Sequence, residues 1–153
     1  GKEHVVFSEE TGGECVRVIV IDGQGGGMGR MIIEGLKREL PQLEIIALGT
    51  NALATQNMLK GGADCGATGE NPIVYNCPDA DVIIGPLAIV VANSLLGEIT
   101  PAMARAVGES KATRILLPVD RCQNIVVGVA PRSFNEYIQM AVEEVKKLVG
   151  GGV

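Results

Sequence analysis

The sequence predicts an α/β protein with a mostly parallel sheet of about five to six strands and helices on both faces. Three observations carry this. Runs of Val, Ile and Leu, apolar throughout as strands covered on both faces must be, recur at 16–22, 43–48, 81–85, 114–119 and 124–129. Segments with helical spacing alternate with them and stop at proline or glycine pairs. Finally, 46% of the residues are hydrophobic, yet there are two Phe, two Tyr and no Trp, so the core is aliphatic and suits a sheet covered by helices.

In order, VRVIVID (16–22) is the first strand, and Met31, Ile32, Gly35, Leu36 and Leu40 then mark one face of a helix that Pro41 ends. LEIIAL (43–48) is the second strand, followed by the turn Gly49-Thr50-Asn51. ALATQNMLKGG (52–62) is a helix closed by a glycine pair. Residues 63–72 read as loop and IVYN (73–76) as a short strand. DVIIG (81–85) is a strand, and the apolar run after Pro86 reads as a helix ending near Gly97. Thr100 and Pro101 supply an N-cap and a first-turn proline for a helix over 101–108. RILLPV (114–119) and NIVVGV (124–129) are the remaining strands. Ser133 and Glu136 form a capping box for the last helix, which carries Phe134, Tyr137, Ile138, Ala141, Val142, Val145 and Leu148 on one face.

This order makes a Rossmann-like three-layer sandwich. At 153 residues there is room for one domain, 16–149, and none for a separate substrate domain. Residues 1–15 read as an extended tail or edge strand, and 150–153 as a flexible C-terminus.

A net charge of −5 without any cluster of Lys and Arg argues against a nucleic-acid partner. The longest apolar run, 82–99, is broken by Pro86, Asn93, Ser94 and Glu98, which argues against a membrane span. Cys15, Cys65, Cys77 and Cys122 form no C-x-x-C pair, and the polar first sixteen residues show no signal-peptide pattern, so the protein is expected to be cytoplasmic and reduced. The lone His4 lies in the tail, leaving no His-rich metal site or Ser-His pair within the fold.

The chemistry concentrates in VIDGQGGGMGR (20–30), where five glycines follow the first strand. A strand, a tight glycine turn and a helix start make an anion site because unpaired N–H groups and the positive end of the helix dipole meet there, and glycine admits phosphate to the main chain. The dinucleotide spacing G-x-G-x-x-G fails, because glycine would be required at Met28 or Arg30. A Walker loop fails too, because Arg30 and Met31 stand where Lys and Ser or Thr are needed. Gly23, Gly27 and Gly29 instead satisfy G-x-x-x-G-x-G.

Over residues 16–50 this spacing resembles the cofactor loop of the short-chain dehydrogenases. The resemblance implies that Gly23 starts the turn, that Gly27 and Met28 offer backbone to a pyrophosphate, and that Gly29 lets the helix pack on the sheet. That family's Tyr-x-x-x-Lys is absent: Asp79 follows Tyr75, and Ala141 follows Tyr137, at the lysine position. The second strand ends in Gly49, Thr50 and Asn51 rather than a ribose-binding carboxylate, so NAD, NADP and other nucleotides all stay open. As a whole, residues 17–129 resemble a small family of uncharacterised bacterial Rossmann-like proteins, on the blocks VIDGQGGGMGR, IIALGTNALAT with GATGEN, and IIGPLAIVVANSLLGEITPAM.

The candidate ligand contacts are therefore Asp22, Gly23, Gln24, Gly25, Gly26, Gly27, Met28, Gly29 and Arg30 in the loop, with Gly49, Thr50, Asn51 and Thr68 beside it. Glu70 and Asn71 extend that set, and Gly85 and Pro86 place a rigid turn at the crevice mouth. Asp22 either accepts hydrogen bonds from the loop's own N–H groups or holds Mg²⁺; no metal site is assigned. Asn93 and Ser94 face either the crevice or a helix end, and Cys65 or Cys122 are either reactive or packed as small hydrophobes.

The expected function is binding of a phosphate-bearing small molecule by a homo-oligomeric sensor, regulatory or accessory protein. The alternatives are a small oxidoreductase or Mg-dependent transferase, with Glu70, Asp120 or Arg121 moving protons or charge, and an interaction module whose apolar 86–99 segment forms an interface.

Overall fold

Five parallel strands, in the order β3-β2-β1-β4-β5, run through the computed structural model, which describes residues 16–119 and 123–150. They are β1 (Val18–Asp22), β2 (Ile45–Gly49), β3 (Cys65–Thr68), β4 (Val82–Pro86) and β5 (Thr113–Leu117). The helices are α1 (Gly27–Glu39), α2 (Ala52–Lys60), α3 (Glu70–Asn76), α4 (Pro101–Glu109) and α5 (Phe134–Val149). The protein is thus the expected Rossmann-like α/β sandwich, with every strand pair parallel.

Side chains of β1 alternate between two cores, as the period of a strand requires. Val18 and Val20 pack with Ile32, Leu36, Met58, Ile138 and Val142 on the α1–α2–α5 face. Ile19 and Ile21 pack with Ile73, Ile89, Met103 and Val107 on the α3–α4 face. All five residues of β1 are buried, so it is the central strand that both helical layers cover.

The expected caps form. Thr100 Oγ1 accepts the Met103 N–H at 3.1 Å ahead of Pro101, and Ser133 Oγ accepts the Glu136 N–H at 3.2 Å. Asn51 caps α2 by accepting the Ala54 N–H at 2.9 Å.

Four readings of the sequence are corrected. Within the expected loop 63–72, residues 65–68 form β3, a strand of small residues held by its backbone ladder to β2. IVYN lies in α3, not a strand, with Pro72 tolerated in the first helical turn. The apolar run after Pro86 makes only a short 3₁₀ turn, Leu87–Val90, before loops in which Asn93, Leu95 and Leu96 take φ of 65°, 54° and 57°. The segment 124–129 joins no strand ladder, so the sheet has five strands among the described residues. The tail 1–15 and residues 151–153 lie outside the described residues.

Candidate functional site

The carboxyl ends of three strands lie level, with Asp22 of β1 beside Gly49 of β2 and Gly49 beside Thr68 of β3. Strand order reverses between β1 and β4, so the crevice where open α/β sheets bind ligands lies at the tip of β1. The chain leaves Asp22 into a turn closed by the Gly26 N–H donating to the Gly23 carbonyl at 2.9 Å, then enters α1 at Gly27. Gly26 has φ 73°, and a Cβ there would stand 2.6 Å from the Ala54 Cα, so the turn needs glycine on two counts.

Asp22 is buried, and its two oxygens accept the Gly23 N–H at 2.8 Å and the Gly29 N–H at 2.7 Å. A carboxylate on the strand therefore caps the third residue of α1, which no side chain of Gly26 can do. A Cβ on Gly29 would lie 2.5 Å from Met58 Sδ and 2.9 Å from Asp22 Cβ, so α1 presses directly on its neighbours there.

Gly25 and Gly27 differ. Both are exposed, and nothing stands within 4 Å of where either Cβ would be. They line a cavity of about 90 Å³ with Asp22, Gly23, Gln24, Gly26, Met28 and Leu95. Gly27 and Met28 are the first two residues of α1, so their N–H groups precede the helix's own hydrogen bonds.

The remaining candidates divide. Arg30 turns toward α2, donating to Asn57 Oδ1 at 2.8 Å and lying 3.7 Å from Glu34, and Asn57 in turn donates to the Gly25 carbonyl at 3.0 Å. Thr68 shares a hydroxyl–hydroxyl bond of 2.7 Å with Thr55. Glu70 and Asn71 open α3, exposed beyond β3. Gly85 and Pro86 make no exposed turn; they are the buried end of β4, and a Cβ on Gly85 would stand 2.5 Å from the Ile21 carbonyl oxygen. Ser94 is buried and donates to the Ala88 carbonyl at 2.6 Å, whereas Asn93 is exposed.

Cys65 is exposed on β3, and burial pushes the Cys77 thiol up to about 11. Asp120, Arg121 and Cys122 lie outside the described residues. Among the described residues no group of three or more His, Cys, Asp or Glu side chains is placed to hold a metal, and no helix is long and apolar enough to cross a membrane.

Glu98 completes the site, and sequence reasoning saw it only as an interruption in an apolar run. Its Oε1 accepts from Asn51 Nδ2 at 2.8 Å, Thr50 Oγ1 at 3.0 Å and the Gln24 N–H at 2.9 Å, and its Oε2 shares that N–H at 3.0 Å. Partial burial alone would raise its pKa, but the bonds from Gln24, Asn51 and Thr50 prevail and hold the carboxyl below its ordinary value. The signal was a single carboxylate between Leu95-Leu96 and Ile99, a setting in which a charge needs partners. Leu95, from the same loop, is buried against Gly23 and lines the cavity.

A larger cavity, about 530 Å³, lies beside β5 and α5, lined by residues such as Leu116, Pro118, Val126, Tyr137 and Met140. Among the described residues, Arg132 and Glu144 are the charged groups that line it, and Arg132 already pairs with Glu136 at 3.4 Å. Size alone would favour this groove, but converging polar groups fix a ligand, and those lie at the tip of β1.

The chain is similar in fold to the dodecameric FMN-dependent Ubix-like decarboxylase from Escherichia coli O157:H7, with 12% identity, a TM-score of 0.42, and 87% of this chain and 94% of that one covered. No curated protein matches it. The family described as "Domain of unknown function (DUF3842)" matches residues 17–150, a span that takes in the glycine loop and every strand and helix from β1 to α5. On that match the chain belongs to the DUF3842 family.

Proposed function

We propose that the loop 22–30 binds a phosphate-bearing small molecule of the nucleotide class, and that the protein serves as a sensor, regulatory or accessory protein. One observation carries the reading. Packing or φ accounts for glycine at Gly23, Gly26 and Gly29, but at Gly25 and Gly27 no neighbour and no positive φ requires it, and both border the cavity at the start of α1. Bare backbone facing a small cavity at a helix N-terminus is what an anion uses.

Titration calorimetry and thermal unfolding with pyrophosphate test this. Wild type is expected to gain about 2.7 kcal/mol at a hundredfold excess over Kd, a midpoint shift of roughly 5–10 °C in a domain of this size. Gly27→Val meets open space in the fold, so it should unfold near the wild-type midpoint yet lose the shift. A shift that survives Gly27→Val sinks the reading.

A second reading concerns self-association, and the region beside β5 favours it. Ile125 and Val127 are 88% and 93% exposed, while Val126 and Val129 line the adjoining apolar groove. One surface of one chain thus carries both a protruding apolar segment and an apolar recess, as a two-fold interface with a second copy requires. Val127→Asp should convert the dimer to monomer in sedimentation equilibrium and make the unfolding midpoint independent of protein concentration. A wild type that is monomeric at tens of micromolar ends this reading.

A further inference from the structure

We infer that Glu98 selects the ligand: its carboxylate accepts a hydroxyl, such as one of a ribose diol, from a ligand whose phosphate lies in the glycine-loop cavity, and it turns away ligands with a second phosphate there. This rests on the phosphate reading above.

The cavity of about 90 Å³ has room for a phosphoryl group, whereas whole small-molecule sites run to roughly 300–1,000 Å³, so most of any ligand lies outside it. Gln24 lines that cavity and gives its N–H to Glu98, which makes Glu98 the next polar group along the loop. The carboxylate is half-buried and held in its charged form by its donors.

Its lone pairs are unequally used. Oε1 takes three donors, but Oε2 takes only a share of the Gln24 N–H, so Oε2 retains capacity for one more O–H. A charged carboxylate only accepts, so it bonds a hydroxyl and repels a phosphate.

Its location adds a second argument. NAD-binding α/β folds hold the ribose 2′-OH with a carboxylate at the end of the second strand, where this chain has Gly49, Thr50 and Asn51. Glu98 docks on Thr50 and Asn51 from the loop between β4 and α4. The carboxylate missing from β2 thus arrives at the same place from another loop.

The test is calorimetric binding of NAD, NADP and pyrophosphate, the first two differing only by a ribose 2′-phosphate. Wild type should bind NAD at least about tenfold tighter than NADP. In Glu98→Gln that ratio should fall to about threefold or less, with pyrophosphate binding retained. Gln keeps an acceptor for the Gln24 N–H; should E98Q nevertheless fail to fold, salt reads the same charge, and the wild-type ratio must shrink as ionic strength rises.

A ratio unchanged in E98Q, a ratio near one in wild type, or pyrophosphate binding with neither dinucleotide bound each overturns the role of Glu98 and leaves the phosphate site standing. If pyrophosphate fails to bind, or binds equally to Gly27→Val, the phosphate site falls and this inference with it.

Discussion

The cavity at the tip of β1 holds about 90 Å³ and is lined by four glycines with Asp22, Gln24, Met28 and Leu95, whereas the groove beside β5 holds about 530 Å³ and is lined mostly by Leu, Ile, Val, Tyr and Met. Around the first, backbone donors converge on two carboxylates: Asp22 takes Gly23 and Gly29, and Glu98 takes Gln24. Around the second, the Tyr137 hydroxyl donates to the Ala130 carbonyl at 3.0 Å, and the rest of the wall is mostly apolar. Apolar volume suits another apolar surface, and small polar volume with helix-start N–H groups suits an anion. On the reading proposed above, the tip of the central strand β1 and the flank of the edge strand β5 take different partners.

The largest effect that can break this contrast is Gly26→Ala. Positive φ costs a residue with a Cβ about 1–2 kcal/mol, and overpacking costs about 1–3 kcal/mol more. Since the obstructing atoms are the Ala54 backbone, which cannot rotate aside, a loss of about 3 kcal/mol in urea unfolding is expected. Gly27→Val, one residue on, should cost under about 1 kcal/mol. Equal losses at the two positions would mean that both glycines serve packing and that the open face of the loop has no separate purpose.

The same contrast explains what the sequence disclosed. β1, β2 and β4 were legible because their burial is written in unbroken aliphatic runs, β5 because Ile115-Leu116-Leu117 carries such a run although only Leu117 is buried, α1 by its apolar spacing up to Pro41, and α4 and α5 because spacing and caps agree. CGAT carries no such pattern; β3 is a strand because its backbone finds β2, a contact between distant segments. NIVVGV has strand composition and no ladder, since composition cannot supply a neighbour. The 87–97 run reads as an apolar helix, yet Ser94 bonds back to Ala88, and Asn93, Leu95 and Leu96 sit at positive φ. Glu98 was hidden for the same reason, because its partners lie 47, 48 and 74 residues earlier in the chain. The glycine loop was legible because its geometry is local. The carboxylate that joins it to β2 was not.

The smallest expected effect separates the two regions by pH. The Glu98 carboxyl lies below its ordinary value of 4.5 in the folded protein, so as pH falls the unfolded chain takes up that proton first. The stabilisation from ionised Glu98 is then complete above about pH 5, shrinks below 4.5, and is lost as pH drops through the lower folded value. Measured as urea midpoints, the gap between wild type and Glu98→Gln should be constant from neutral pH to about pH 5 and narrow in acid. Because Glu98 is half-buried, the gap should be modest and smaller in high salt. Val127→Ala, which removes no titrating group from the groove side, should differ from wild type by the same amount at every pH. If the Glu98→Gln gap is equally flat through acid, then the donors around Glu98 do not favour its charged form, and the polar character assigned to the β1 end loses its best support.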